Sequence, residues 1–449
     1  MNNHQALHRF WLISTLVLIL VACQSSSGIQ IGSEHNVSQD SYVMEPHIAV
    51  DPTNANHLAA VFASSPEFDC DFKTCLPRLM VSTSTDAGAT WQEQAPFPNA
   101  DVSGNGVIGF APDGDLYIVG LNAANDLYFT VAINRANTEG LFLPSNESLV
   151  TNLIGNDKPW LTIDQQTGDL YVAYSGMIAK QNRNISIKLA SSQDGGHSWT
   201  ESVVPSQKVD PVAHQAGQVV SPADPQAMLG KNNSLAVEWL WSPYAETWPV
   251  ALYVAVSTDG GKTFSAARQI AEVWGYVSTA FYQGDYYIFY KQGTEQKQEL
   301  AVAISRDNGA TWTTSLVSGN TSLSFDIEKA PGVNLAPNGK IDVIYYGHGP
   351  DVPNCSDVAA FRQRFQNGYV DQCNYNAYFT FSQDGGQTFS TPVILNQKPI
   401  MGSHFMRIAG TSRAGDYIGM ASTNDFAHPI WIDTDGDDGT HVYTLQIKR

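Results

Sequence analysis

Basic residues are scarce in this chain: 24 Lys and Arg stand against 43 Asp and Glu, for a formal net charge of −19. A surface this acidic repels phosphate backbones and anionic headgroups, which excludes nucleic acid as a partner and the bare bilayer surface as a docking site. Long amphipathic helical periods are missing, and no low-complexity linker follows Ser27, so one large all-β domain is expected. Cysteine is sparse as well. Five are present without a CxxC pair, which argues against a thiolate metal centre.

What is present is a repeat. The phrase Ser84-Thr85-Asp86-Ala87-Gly88-Ala89-Thr90-Trp91 returns at Ser192 to Trp199, Ser257 to Phe264, Ser305 to Trp312 and Ser382 to Phe389. Each copy follows an apolar run and precedes another short β-prone segment, so each reads as a hairpin turn. Its Asp accepts hydrogen bonds from the turn, its Gly supplies a left-handed backbone, and its Trp or Phe packs between sheets. These aspartates are therefore assigned to structure. Upstream of the phrases lie strand pairs joined by turns such as Pro112-Asp113-Gly114, Thr167-Gly168-Asp169 and Pro337-Asn338-Gly339, with a longer polar stretch from Ser221 to Asn233 serving the fourth unit. The count gives seven units, at roughly 44–98, 106–154, 158–204, 216–271, 276–318, 332–396 and 404–447, each the length of a four-stranded blade. The second unit carries a decayed phrase at Asn134 to Gly140. The seventh has none and lacks a fourth strand, which Ile29-Gln30-Ile31 is placed to supply.

The five phrases resemble the Asp box of sialidases and related bacterial β-propellers. The resemblance implies an all-β propeller of four-stranded blades, seven by the count above with six, as in sialidases, the alternative. It also implies that the boxes lie on the rim away from the active site. The segments Glu45-Pro46-His47, Asp157-Lys158-Pro159-Trp160 and Gly415-Asp416-Tyr417-Ile418-Gly419 look more like an exported, uncharacterised branch of this family than like proven sialidases. Retaining sialidases clamp a carboxylate with three arginines and use a tyrosine nucleophile with an aspartate acid/base. Carried onto this chain, that scheme offers Arg407 and Arg413 as clamps, Asp69 or Asp71 as acid and Tyr345 or Tyr346 as nucleophile. Where the family places its first arginine this chain has Met44 and Glu45, which do not bind a carboxylate.

In a propeller the beginnings of the innermost strands face the central channel. Here they carry Glu45, His47, Asp157, Lys158, Trp160, His214, Glu328, Arg413, Asp416 and Tyr417, a set of acids, bases and aromatics suited to a polar ligand. The opposing reading is that they cap strand ends and fill a wet channel with ion pairs. No cofactor is required. Asp433, Asp435 and Asp437 have the first spacing of an EF-hand without its later ligands, so a structural calcium and a plain solvated turn both stay open.

The chain begins with Arg9, an apolar run from Phe10 to Val21, and Leu20-Val21-Ala22-Cys23 before Gln24 and three serines. That is a signal peptide ending in a lipobox, too short to span a bilayer. The expected division is a signal peptide at 1–22, a lipidated tether at 23–28 and the propeller at 29–449, with Cys23 carrying the lipid that holds the protein to the membrane. Gln24 resembles the sorting residue of outer-membrane lipoproteins, periplasmic or surface-exposed. The other four cysteines suggest two disulfides, and local pairing of Cys70 with Cys75 and Cys355 with Cys373 is the simplest of three connectivities. The leading functional expectation is binding of a glycan or related polar ligand on the loop face. The alternatives are an active exo-α-sialidase and a protein-assembly scaffold.

Overall fold

The computed structural model describes residues 28–70, 75, 77–98, 101–125, 128–137, 140–177, 185–207, 220–242, 249–294, 297–319, 330–347, 370–408, 410–412, 415–434 and 439–449. Seven sheets of four or more strands succeed one another along the chain. Their innermost strands are Val43–Asp51, Val102–Phe110, Asn156–Ile163, Val220–Leu229, Ser278–Tyr282, Gly332–Leu335 and Gly419–Ser422. Each touches the next, and the seventh returns to the first, so the sheets stand in a ring. Within each sheet successive strands pair antiparallel, as short turns require.

The core is distributed around the ring in the same order. One apolar cluster joins sheets one and two through Val61, Val81, Ile108 and Ile118. The next joins two and three through Val119, Val131, Leu170 and Val172, and another joins three and four through Leu189, Val237 and the wholly buried Trp239. Clusters between four and five and between five and six follow, and the largest fills the space among six, seven and one around Trp431 and Phe379. Because both faces of a sheet are covered by neighbours, its second strand is buried along its length, as in Ile341–Gly347, where every residue is buried and all but Asp342 and Gly347 are apolar or aromatic.

The N-terminal segment completes the seventh sheet, though not where Ile29 to Ile31 was expected to do so. The outer position is taken by His35–Asn36, paired with His441–Thr444, while Gln30–Ile31 pairs with Ile447–Lys448. The ring is pinned shut beside it: the Val43 amide donates to Thr440 Oγ1 at 3.0 Å, and that hydroxyl donates back to the Val43 carbonyl at 2.9 Å.

The repeated phrases are the turns between third and fourth strands, and all five share one network. Ser84 Oγ donates to Asp86 Oδ1 at 2.8 Å and accepts from the Gly88 amide at 2.9 Å. Asp86 then receives the Thr90 amide at 2.9 Å and the Thr90 hydroxyl at 2.6 Å. The Trp91 indole donates to the Gly88 carbonyl at 3.0 Å. The Thr90 hydroxyl, its amide and Ser84 hold the Asp86 carboxyl down at about 2, and Asp259 and Asp307 are held at about 2 in the same way. The serine is the buried member. Ser257→Ala removes the acceptor of the Gly261 amide (2.8 Å) and the donor to Asp259 (2.8 Å), so it should lower stability by about 1–3 kcal/mol, read as a reduced melting temperature.

The Cys70–Cys75 pair is a disulfide, with Cα atoms 5.3 Å apart. Cys373 is buried, and Cys355 lies outside the described residues, as does Cys23. No helix among the described residues is long and apolar enough to cross a membrane.

Candidate functional site

The site begins with a backbone device repeated around the ring. Four innermost strands carry a non-glycine residue in the left-handed region: Glu45 (φ 56), Asn105 (φ 49), Lys158 (φ 51) and Asp224 (φ 53). Each falls inside a register shift of its strand, between Met44 and His47, Ser103 and Val107, Asp157 and Trp160, and Ala223 and Gln226. Three are followed by proline, which cannot donate to the ladder and steers the preceding residue away from right-handed backbone, so the strand bulges there. A left-handed non-glycine residue costs on the order of 1–2 kcal/mol, and four at equivalent positions point to a shared purpose. The seventh sheet uses Gly415 (φ 84) immediately before Asp416. A Cβ there would come within 2.5 Å of the Glu45 amide, so only glycine lets the last sheet close on the first.

These bulges bring polar side chains to a common cavity with aromatic walls. It is partly open to solvent, and its lining includes Asn105, Lys158, Trp160, Asp224, Tyr276, Asp416 and Tyr417. Lys158 is the hub. Its ammonium hydrogen-bonds Asp416, lies 3.7 Å from Asp224 Oδ1, and sits 5.1 Å from the centroid of the Tyr276 ring. One cation from sheet three thus ties together groups from sheet four, from the segment entering sheet seven and from the segment leading into sheet five. Burial works against its charge, but Asp224, Tyr276, Glu45 and Asp157 outweigh that and hold its pKa well above the ordinary lysine value.

Aromatic rings make the adjoining surface. Trp160 meets Tyr417 edge-on at 5.7 Å and His47 edge-on at 5.5 Å. The Tyr417 hydroxyl donates to the Gly106 carbonyl at 3.0 Å, and burial, then Glu45 and Asp224, push that phenol well above its usual range. Burial pulls His47 down to about 4, against a smaller opposing bond from Ile108, so its imidazole is neutral at physiological pH. Glu45 is buried and accepts from the Asn105 amide at 2.7 Å.

The structure therefore gathers Glu45, His47, Lys158, Trp160, Asp416 and Tyr417. Asp157 is exposed and caps the Lys158 amide at 2.8 Å, a supporting role. His214, Glu328, Arg413 and Asp71 lie outside the described residues. Of the tyrosines offered as nucleophiles, Tyr345 is buried and stacks on Tyr378 at 5.6 Å, and the buried Tyr346 hydroxyl donates to the Ile432 carbonyl at 3.0 Å; neither lines this cavity. Asp69 and Arg407 do meet, on parallel two-residue strands away from the cavity lining, where Asp69 accepts from the Gly410 amide at 2.8 Å and the Arg407 guanidinium lies 5.1 Å from the Phe68 ring. Asp433 is buried, accepting from the Trp431 indole at 3.1 Å and the Thr434 amide at 2.7 Å, while Asp435 and Asp437 lie outside the described residues. Among the described residues no group of three or more His, Cys, Asp or Glu is placed to hold a metal.

Asn105, Asp224 and Tyr276 are site residues that sequence reasoning missed. Asp224-Pro225 repeats the pattern of Glu45-Pro46 and Lys158-Pro159, a signal hidden by reading Ser221 to Asn233 as one turn. The chain instead forms strand Val220–Leu229 there, because Gln226 takes the Thr279 amide at 2.8 Å and donates to the Val277 carbonyl at 3.0 Å, satisfying a polar residue inside the sheet.

No family model and no curated protein matches the chain. Among solved structures it is similar to the polysaccharide lyase Uly1 (TM-score 0.54, 8% identity, covering 93% of this chain and 99% of that one). It is also similar to a PL25 ulvan lyase bound to a GlcA–Rha3S saccharide (TM-score 0.51, 11% identity, 91% and 95%). A GH93 α-L-arabinofuranosidase of Fusarium graminearum in complex with arabinobiose follows at TM-score 0.48 and 14% identity, over 93% of this chain and 98% of that one. At 8% and 11% identity, the first two show a shared fold: the chain is an all-β propeller.

Proposed function

We propose that this protein is a lipid-anchored propeller of seven blades that binds a glycan in the channel-mouth cavity and does not cleave it. The observation that carries the reading is the cavity itself: carboxylates fixed around Lys158 in a lining that includes the rings of Trp160, Tyr276 and Tyr417. Glycan-active enzymes among the structural neighbours support the ligand class. Lys158 engages Asp224 and Asp416 together, so both carboxylates are committed to one ion-pair network, which supports binding over hydrolysis by a pair of carboxyl groups. The anchor at Cys23 follows from the lipobox and places the protein at the outer membrane, periplasmic or surface-exposed.

Screening the purified protein on a glycan array beside fluorogenic sialoside and arabinofuranoside substrates tests the reading. Array binding without turnover is expected. Turnover would replace it with an exo-glycosidase, and silence in both assays would leave a scaffold for protein partners.

A further inference from the structure

Resting on the lipid anchor proposed above, the path of the N-terminal segment decides which face of the ring meets the membrane. We propose that the lipid at Cys23 draws the rim of box turns toward the bilayer, so that the cavity opens on the side away from it. The direction is read from strand register. Innermost strands run from the cavity face, where Glu45 and Lys158 lie, down to turns on the box rim, and third strands such as Val250–Ser257 descend to the boxes themselves. In sheet seven the second strand, Phe426–Asp433, therefore climbs from that rim to the cavity face. Lys448 lies opposite Phe426 and Ile447 opposite Ala427, and these two residues pair in turn with Gln30 and Ile31. The chain thus climbs from the box rim as it passes from Gln30 to Ile31. His35 and Asn36 continue upward along Thr444 and Tyr443, and Tyr42 bridges to Thr440 at the cavity face before Val43 turns down into sheet one. Traced backward, Gly28 leaves the domain at the box rim.

The exit point is fixed by bonds to both sheets that the segment joins. The Gly32 amide donates to the Gln446 carbonyl at 2.8 Å and the Val37 amide to the Val442 carbonyl at 2.8 Å, both in sheet seven. From sheet one, Ser82 Oγ donates to the Val37 carbonyl at 2.8 Å, and the Val37 side chain is buried. Length then decides the side. Five residues, Cys23 to Ser27, precede Gly28, and five residues fully extended span at most about 18 Å. The eight residues of Phe426–Asp433 stand about 25 Å tall, so the tether is too short to carry the lipid round to the cavity face. The net charge of −19 adds to this, because an acidic domain is repelled by an anionic leaflet and does not lie flat on it. A glycan then reaches the cavity from the aqueous space beyond the anchoring leaflet, and a sugar on a headgroup of that leaflet does not.

The test uses the full lipidated protein in vesicles of phosphatidylethanolamine and phosphatidylglycerol, with an energy-transfer acceptor on the headgroups and a donor dye on one introduced cysteine. Asn424→Cys and Lys262→Cys mark the box rim on opposite sides of the ring, and Glu67→Cys and Gln372→Cys mark loops of the cavity face; all four positions are exposed. Transfer from both rim positions should exceed that from both cavity-face positions at least about twofold, because strands about 25 Å tall separate the faces. Equal or reversed transfer, in protein that floats with the vesicles, overturns the orientation and leaves the anchor standing. Protein that does not float, or Cys23→Ala protein that floats as well as wild type, overturns the anchor and the orientation with it. The transfer pattern needs no glycan, so a silent array leaves it decided. An array ligand should bind the vesicle-anchored protein as tightly as the detergent-solubilised one, and loss of binding on anchoring overturns the outward-facing cavity.

Discussion

Arg449→Met should destabilise the protein by about 3–5 kcal/mol, the usual consequence of stripping one partner from a buried ion pair. Neither side chain of the Arg449–Asp342 pair is accessible to solvent, and the guanidinium meets Asp342 Oδ2 at 2.5 Å. Ser422 donates to the same oxygen at 2.6 Å, and the Arg449 guanidinium also donates to the Thr423 carbonyl at 3.2 Å. Burial pushes the Asp342 carboxyl above its ordinary range, and Arg449 is the strongest influence holding it down. Without the arginine that carboxyl rises further. A carboxyl raised in the folded state contributes stability below its unfolded value and loses it as the pH climbs through the folded one. The deficit of the variant should therefore be small in acid and full at neutral pH, which chemical denaturation at two pH values will read. Replacing both partners, Arg449→Met with Asp342→Leu, should recover most of the loss, because the desolvation of two charges then disappears along with their attraction.

The second large effect is expected at the hub of the cavity. Lys158→Met should cost about 2–4 kcal/mol and reduce glycan affinity by tenfold or more, because Asp224 and Asp416 lose the cation they share. The cost is placed below that of Arg449 because the lysine side chain is 17% accessible and water screens part of the lost attraction. The sign with pH follows from the direction of its shift. A lysine whose pKa is raised on folding contributes stability fully below its unfolded value, about 10.4, and loses it only as the pH rises through the higher folded value. The wild-type contribution is therefore flat across neutral pH, and the difference between wild type and variant should be as large at pH 6 as at pH 8.

Much of the molecule was legible in its sequence because its turns repeat. The Ser, Asp and Gly of each box are dictated by one local hydrogen-bond network, which the indole joins where the last residue is Trp, so the sequence has little freedom there, and the strands on either side could be placed from it. Glu45, Lys158, Asp416 and Tyr417 were legible for a related reason: the first two lie early in innermost strands, just before a proline, and the last two lead into one, just after Gly415. Asp224 has the same signal but sits in a strand whose polar residues are satisfied by the next sheet, a tertiary effect that local pattern does not carry. Tyr276 had no signal, being one of 19 tyrosines in a chain rich in aromatic strand residues. Tyr345 and Tyr346, offered as nucleophiles by the resemblance to sialidases alone, lie in a strand covered on both faces, and neither lines the cavity around Lys158.

The most direct test of the cavity as a glycan site is a titration of the strongest array ligand against wild type, Tyr276→Ala and Ser257→Ala, each beside a thermal melt. Tyr276 lines the cavity, whereas Ser257 serves a box turn. The account predicts about tenfold weaker binding for Tyr276→Ala with little change in melting temperature, and a lower melting temperature for Ser257→Ala with unchanged affinity. Unchanged affinity in Tyr276→Ala, with the loss appearing in Ser257→Ala instead, would contradict it.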